Sequence, residues 1–162
     1  MTTPRSLPGL AVRTTGFDFL VGEWVVENDR LRAPLTGDRE WYTSHATATS
    51  TTLHNGAVSV DEMHFPDEGF AGSSFRFHDA ATDVWAIHWV TSRDGRLQAP
   101  VHGRWRGVEF TAAGADTYDG HPILVNFRWH SITRDAAVWE QFFSDDGGES
   151  WERNWVMRWT RV

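Results

Sequence analysis

The sequence predicts an all-β protein, an antiparallel up-and-down barrel of about eight to ten strands. Three observations carry this prediction. From Phe17 onward the apolar residues recur with a period of two rather than with helical spacing. The runs are short, evenly spaced and separated by turn chemistry: His54-Asn55-Gly56, Pro66-Asp67-Glu68-Gly69, Arg93-Asp94-Gly95, Tyr118-Asp119-Gly120 and Asp145-Asp146-Gly147-Gly148. No window has a helical pattern except Phe17–Val21, which is long enough for a single turn. Links of hairpin length favour a meander closed into a barrel over a Greek-key sandwich with its long connections.

Residues 1–15, with Pro4, Pro8 and several Thr, read as a loose arm, and residues 16–162 as one barrel domain without linker or internal repeat. Trp24 and Val26 alternate in the first strand. Trp41, Thr43, His45, Thr47 and Thr49 continue in a β-branched run that disfavours helix. Further strands are predicted at 57–65, 71–78, 84–92, 101–111, 123–132, 136–144 and 150–161.

A chain of 162 residues can bury a core without metal or disulfide support. It has no Cys, which excludes thiol nucleophiles, iron–sulfur clusters, Cys-bound zinc and disulfides. All 15 basic residues are Arg, so Schiff-base chemistry, lysine-anchored pyridoxal phosphate and the P-loop lysine are excluded as well. The net charge is −7 and the Arg residues are scattered, a poor basis for counterion release, so nucleic acid is not an expected partner. No stretch approaches the roughly 18 apolar residues of a membrane-spanning helix, and no membrane association is expected. The N-terminal residues lack the apolar run and cleavage pattern of a signal peptide, so a cytoplasmic location is the expectation.

Strand faces bear on what a barrel interior would hold. Trp85, Ile87 and Trp89 share a face opposite His88. Ile123, Val125, Phe127 and Trp129 oppose Asn126, Arg128 and His130, and Phe75 and Phe77 oppose Arg76 and His78. One assignment turns every aromatic face inward and leaves Arg, Asn and His in water. The other places Arg76, His88 and Arg128 inside a partly polar cavity. The last hairpin leaves the same ambiguity. A two-residue turn at Asp146-Gly147 pairs Glu140 with Arg153 and Val138 with Trp155, whereas one bulge residue pairs Trp139 with Trp155 and Glu140 with Asn154.

Ser144-Asp145-Asp146-Gly147-Gly148-Glu149-Ser150-Trp151 resembles the Asp-box hairpin of sialidases and many unrelated β proteins. It implies a turn in which Asp146 accepts bonds from turn amides and Trp151 packs as a clamp; it implies no activity. Phe17-Asp18-Phe19-Leu20 followed by Gly22-Glu23-Trp24 resembles the opening of lipocalin-like proteins of the calycin group. There, a short turn leads into the first strand and the Trp closes the barrel bottom beneath an Arg from the last strand, here Arg158 or Arg161. With Val60-Asp61-Glu62, Phe75-Arg76-Phe77, Trp85-Ala86-Ile87-His88-Trp89 and the Trp139–Trp155 region, the chain from about residue 17 to 161 is similar to a bacterial family of uncharacterised lipocalin-like proteins. That resemblance implies a calycin barrel with a small-molecule cavity and no particular reaction. Nitrobindin barrels, similar in kind, bind haem through a His; a haem-binding barrel is therefore a lesser alternative, although the resemblance assigns that ligand to no particular residue here.

The excess of Trp and Phe, ten of each, predicts an aromatic-lined cavity for an apolar or aromatic small molecule, with Arg able to fork onto a ligand carboxylate. The candidate ligand-binding residues are Trp41, His45, Glu62, His64, Arg76, His88, Trp89, Arg128, Trp129 and Glu140. An alternative is a cofactor-independent isomerase, cyclase or hydratase with Glu62, His88 and Glu140 as acid–base candidates. No cofactor and no metal site are predicted. Glu62 and His64 share a strand face but need a third ligand such as His45, His88 or His102, and neither His-x-His nor His-Glu-x-x-His occurs. The surplus aromatics are also compatible with a homodimer interface.

Overall fold

In the computed structural model, which describes residues 16–162, ten antiparallel strands follow one another around a closed barrel. They are β1 (Gly22–Leu31), β2 (Trp41–Leu53), β3 (Val58–Phe65), β4 (Phe70–Asp79), β5 (Val84–Thr91), β6 (Val101–Arg106), β7 (Glu109–Tyr118), β8 (His121–His130), β9 (Ala136–Ser144) and β10 (Glu152–Arg161). Each pairs with its sequence neighbours, and β10 closes on β1, with Val26 opposite Trp159 and Arg30 opposite Trp155. Closure leaves no edge strand among the described residues to template association. The predicted arm of residues 1–15 lies outside the described residues.

Residues 101–111, expected as one strand, form a hairpin instead. β6 ends at Arg106, β7 starts at Glu109, and Gly107 takes a left-handed φ of +61° in the tight turn. A lone Gly beside Val108 is a weaker turn signal than the Asp-Gly and Asn-Gly clusters elsewhere. β7 then runs through Ala112-Ala113-Gly114-Ala115, poor strand formers held by their pairing with β8.

The last hairpin adopts neither expected register. Arg153 pairs with Phe142, a bulge at Asn154 follows, and Trp155 then pairs with Gln141 and Val156 with Glu140. The turn is longer than two residues because Asp146 organises it. Asp146 accepts from the Ser150 hydroxyl (2.5 Å) and amide (3.0 Å) and from the Ser144 hydroxyl (2.7 Å), and the Gly148 amide donates to Ser144 Oγ (2.8 Å). These bonds favour the ionised form and hold the Asp146 carboxyl well below the usual range.

The lower end of the barrel is sealed by the chain itself. A 3-10 turn, Asp18–Leu20, carries Phe17 and Leu20 into the core with no exposed surface. Phe17 meets Trp85 and Phe110 edge to face, each at 4.9 Å. Trp24 donates its indole N–H to the Leu20 carbonyl (2.7 Å). Arg161 stacks 4.1 Å from the Trp24 ring and donates to the carbonyls of Val21 (2.6 Å), Phe19 (2.7 Å) and Arg134 (2.8 Å). Gly22 makes room for it: φ is +123°, and a Cβ there would lie 2.7 Å from the guanidinium. Arg158, the other candidate for this position, is on the outer wall with Glu27 and Asp29.

Eight of the ten Trp residues contribute to the interior: Trp24, Trp85, Trp129, Trp139 and Trp159 are buried, and Trp89, Trp105 and Trp155 pack against them. Trp41 and Trp151 are exposed at the upper hairpins.

Candidate functional site: a tryptophan-walled cavity

Above the sealed floor the barrel is hollow. A cavity of about 100 Å³ is walled by five Trp (Trp89, Trp129, Trp139, Trp155 and Trp159) together with Phe127 and the thioethers of Met63 and Met157. The rings are inclined to one another as the walls of a box: Trp139 meets Trp155 at 85°, Trp129 meets Trp159 at 58°, and Phe127 meets Trp139 at 49°. Period-two spacing explains the set. Phe127/Trp129, Trp139/Gln141 and Trp155/Met157/Trp159 are alternate residues of adjacent strands in register, with Trp129 opposite Trp139 and Trp139 opposite Met157.

The polar wall comes from β3 and β4. Asp61 and Arg76, 1% and 3% exposed, form a buried ion pair at 2.5 Å. The pair is internally provided for: the Ser74 amide donates to the second Asp61 oxygen (3.1 Å), and Arg76 donates to Ser59 Oγ (3.3 Å). The Arg76 guanidinium also lies 5.0 Å from the Phe17 ring, tying the polar wall to the floor. Gln141 lines the opposite side and donates to Asn154 (2.9 Å). At the mouth are Gln98 and Ala99, from the β5–β6 loop, and Asp116 on β7. Beside the cavity, Arg30 lies 3.7 Å over the Trp155 ring and donates to Glu68 (2.9 Å). Burial pushes the Arg30 pKa below its ordinary value against the opposing pull of Glu68.

The structure divides the two assignments of strand faces. Aromatic residues of β5 and β8 turn inward, so His88 and Arg128 stand on the outer wall. On β4 the reverse holds: Arg76 points in, and Phe75 and Phe77 point out, Phe77 being 44% exposed. Of the ten candidate ligand-binding residues, Arg76, Trp89 and Trp129 line the cavity.

The other seven do not line the cavity. Trp41 is exposed near Arg153, His45 pairs with Asp67 across 3.7 Å, and His88 bonds the Gln98 carbonyl (3.0 Å). Glu62 and His64 face each other at 3.5 Å on the outside of β3. Among the described residues no group of three or more His, Asp or Glu is placed to hold a metal ion.

Glu140 and Arg128 belong to a separate cluster on the outer wall. Glu140 accepts from Arg128 (2.5 Å), Arg153 (2.9 Å) and His130 (3.2 Å) and is itself 4% exposed. Burial raises its pKa, but the hydrogen bonds from Arg128 and Arg153 and the nearby positive charge outweigh that and hold the carboxyl below its ordinary value.

Sequence reasoning did not single out Asp61, Gln98, Asp116, Trp139, Gln141, Trp155 or Trp159 as lining residues. For Asp61 a signal existed: it is two and four residues before Met63 and Phe65, an apolar face that turns inward and takes Asp61 with it. Compared with known proteins, the chain matches no family model, and no curated protein matches it.

Proposed function

We propose that this barrel is a receptor for a compact, mainly apolar small molecule. The carrying observation is the Trp-walled cavity of about 100 Å³ whose two buried charges, Asp61 and Arg76, answer each other. Apolar walls with a few placed polar groups suit ligand recognition. The size limits the guest: about 100 Å³ is well below the roughly 300–1,000 Å³ of pockets for drug-sized ligands and below the roughly 150 Å³ apolar void that admits benzene, so a guest of one ring fills the space and reaches into the mouth. One ring, or a branched group of similar bulk, is the expected occupant. A carboxylate is disfavoured, because Asp61 already answers the charge of Arg76. Haem does not fit: the space is too small for the macrocycle, and among the described residues no His lines it. Glu62, His88 and Glu140 stand outside the cavity, so an isomerase, cyclase or hydratase would lack the acid–base groups considered for it. Kinship with lipocalin-like barrels is part of this proposal, supported by the Gly22-Glu23-Trp24 opening and the Arg161 stack on Trp24.

Titration with benzene, phenol and indole, followed by calorimetry and thermal shift, tests the proposal. A saturable response to at least one ring is expected, and its loss in Ile87→Phe, which fills part of the cavity, provided circular dichroism shows that variant folded. No response to any of the three rings would contradict a cavity receptive to a neutral ring.

A further inference from the structure

Resting on the receptor proposal, the geometry points to the chemical class of the guest: we infer that the cavity takes an organic cation, an alkylated ammonium group held by the tryptophan box and balanced by Asp116.

The first support is the surface a guest would meet. Ring faces carry the negative lobe of the aromatic quadrupole, and Trp offers the strongest such face. Five Trp and one Phe surround a single small space, inclined at 49–85° where they meet. The buried donors Arg76 Nε and Trp159 Nε1 have no hydrogen-bond partner among the described residues, yet they are covered by their surroundings, so ring and thioether surface dominates the contact. The same protein already places guanidinium groups on its indoles, Arg30 on Trp155 at 3.7 Å and Arg161 on Trp24 at 4.1 Å.

Charge is the second support. Asp61 and Arg76 cancel, leaving Asp116 at the mouth as the one lining residue, among the described residues, whose charge no lining residue opposes. The chain as a whole carries −7, which raises the local concentration of cations and lowers that of anions. A carboxylate guest would meet Asp116 and the ring faces with the wrong sign.

Three probes of one shape separate the outcomes: choline, its uncharged carbon isostere 3,3-dimethylbutan-1-ol, and the anion 3,3-dimethylbutanoate, each titrated by tryptophan fluorescence at constant ionic strength. Choline is expected to bind about tenfold more tightly than the alcohol, the gain of a desolvated cation–π contact, and the anion most weakly. Asp116→Asn, at an exposed position, is expected to cost choline about threefold more than it costs the alcohol. Equal or tighter binding of the alcohol, or preference for the anion, overturns the cation assignment and leaves the receptor standing. Response to benzene, phenol or indole with none to choline does the same. Silence toward all six compounds overturns both.

Discussion

The lower and middle levels of this barrel are built from the same residue types and end in opposite states. At the floor, Phe17 and Leu20 enter from below and fill the space between Trp85, Trp105 and Phe110, with Phe17 lying within 4.9–5.3 Å of all three rings. One level up, five Trp face one another across a gap, and no segment among the described residues enters it. Aromatic richness alone therefore does not make a cavity. What separates the levels is a single inserted turn, and the buried Asp61–Arg76 pair marks the boundary, with Arg76 against Phe17 on one side and the cavity on the other.

Substitutions at the two levels sharpen this contrast. Phe17→Ala removes the stopper from a filled region and is expected to cost about 3–5 kcal/mol in denaturant unfolding. Trp89→Phe, beside existing space, is expected to cost about 1 kcal/mol. Equal losses would mean that the middle level is as tightly filled as the floor. At the boundary, Asp61→Asn leaves the Arg76 charge buried without its partner and is expected to cost about 3 kcal/mol. Adding Arg76→Met to it should recover most of that loss in a double-mutant cycle. A smaller effect belongs to the closing Arg: Arg161→Met loses the ring stack and three carbonyl bonds, about 2 kcal/mol.

Smallest is the outer-wall counterpart of the interior pair. Glu140 has a folded pKa below its unfolded one. Its contribution is therefore full at neutral pH and is lost as pH falls from the ordinary carboxylate range through the folded value. Its partners Arg128 and Arg153 are half exposed, so about 1 kcal/mol is expected. Melting temperature against pH should fall less steeply below neutrality in Glu140→Gln than in the unaltered protein; parallel profiles would remove Glu140 from the pH dependence.

The barrel and most of its strands were legible because alternation and Gly-Asp-Asn turns are local signals. The strand faces of β5 and β8 were legible for the same reason: Trp85/Ile87/Trp89 and Ile123/Val125/Phe127/Trp129 are uniformly apolar. β4 was not. Its Phe75 and Phe77 form the more apolar face, and what turns Arg76 inward is a carboxylate on the adjacent strand, a contact fixed by register between β3 and β4 rather than by either segment. The last hairpin failed similarly, because side-chain bonds from Asp146 lengthened the turn and a bulge at Asn154 reset the pairing. The cavity walls from β9 and β10 depend on that register, which is why Trp139, Trp155 and Trp159 emerged only in three dimensions.

The central claim is that the middle of the barrel is empty enough to accept a guest. Crystals pressurised with xenon test it without choosing a ligand, since xenon enters apolar voids of this size. Xenon density bounded by Trp89, Phe127, Trp139 and Met157 is the predicted result. Tightly interlocked side chains at that level, with no xenon between them, would contradict it.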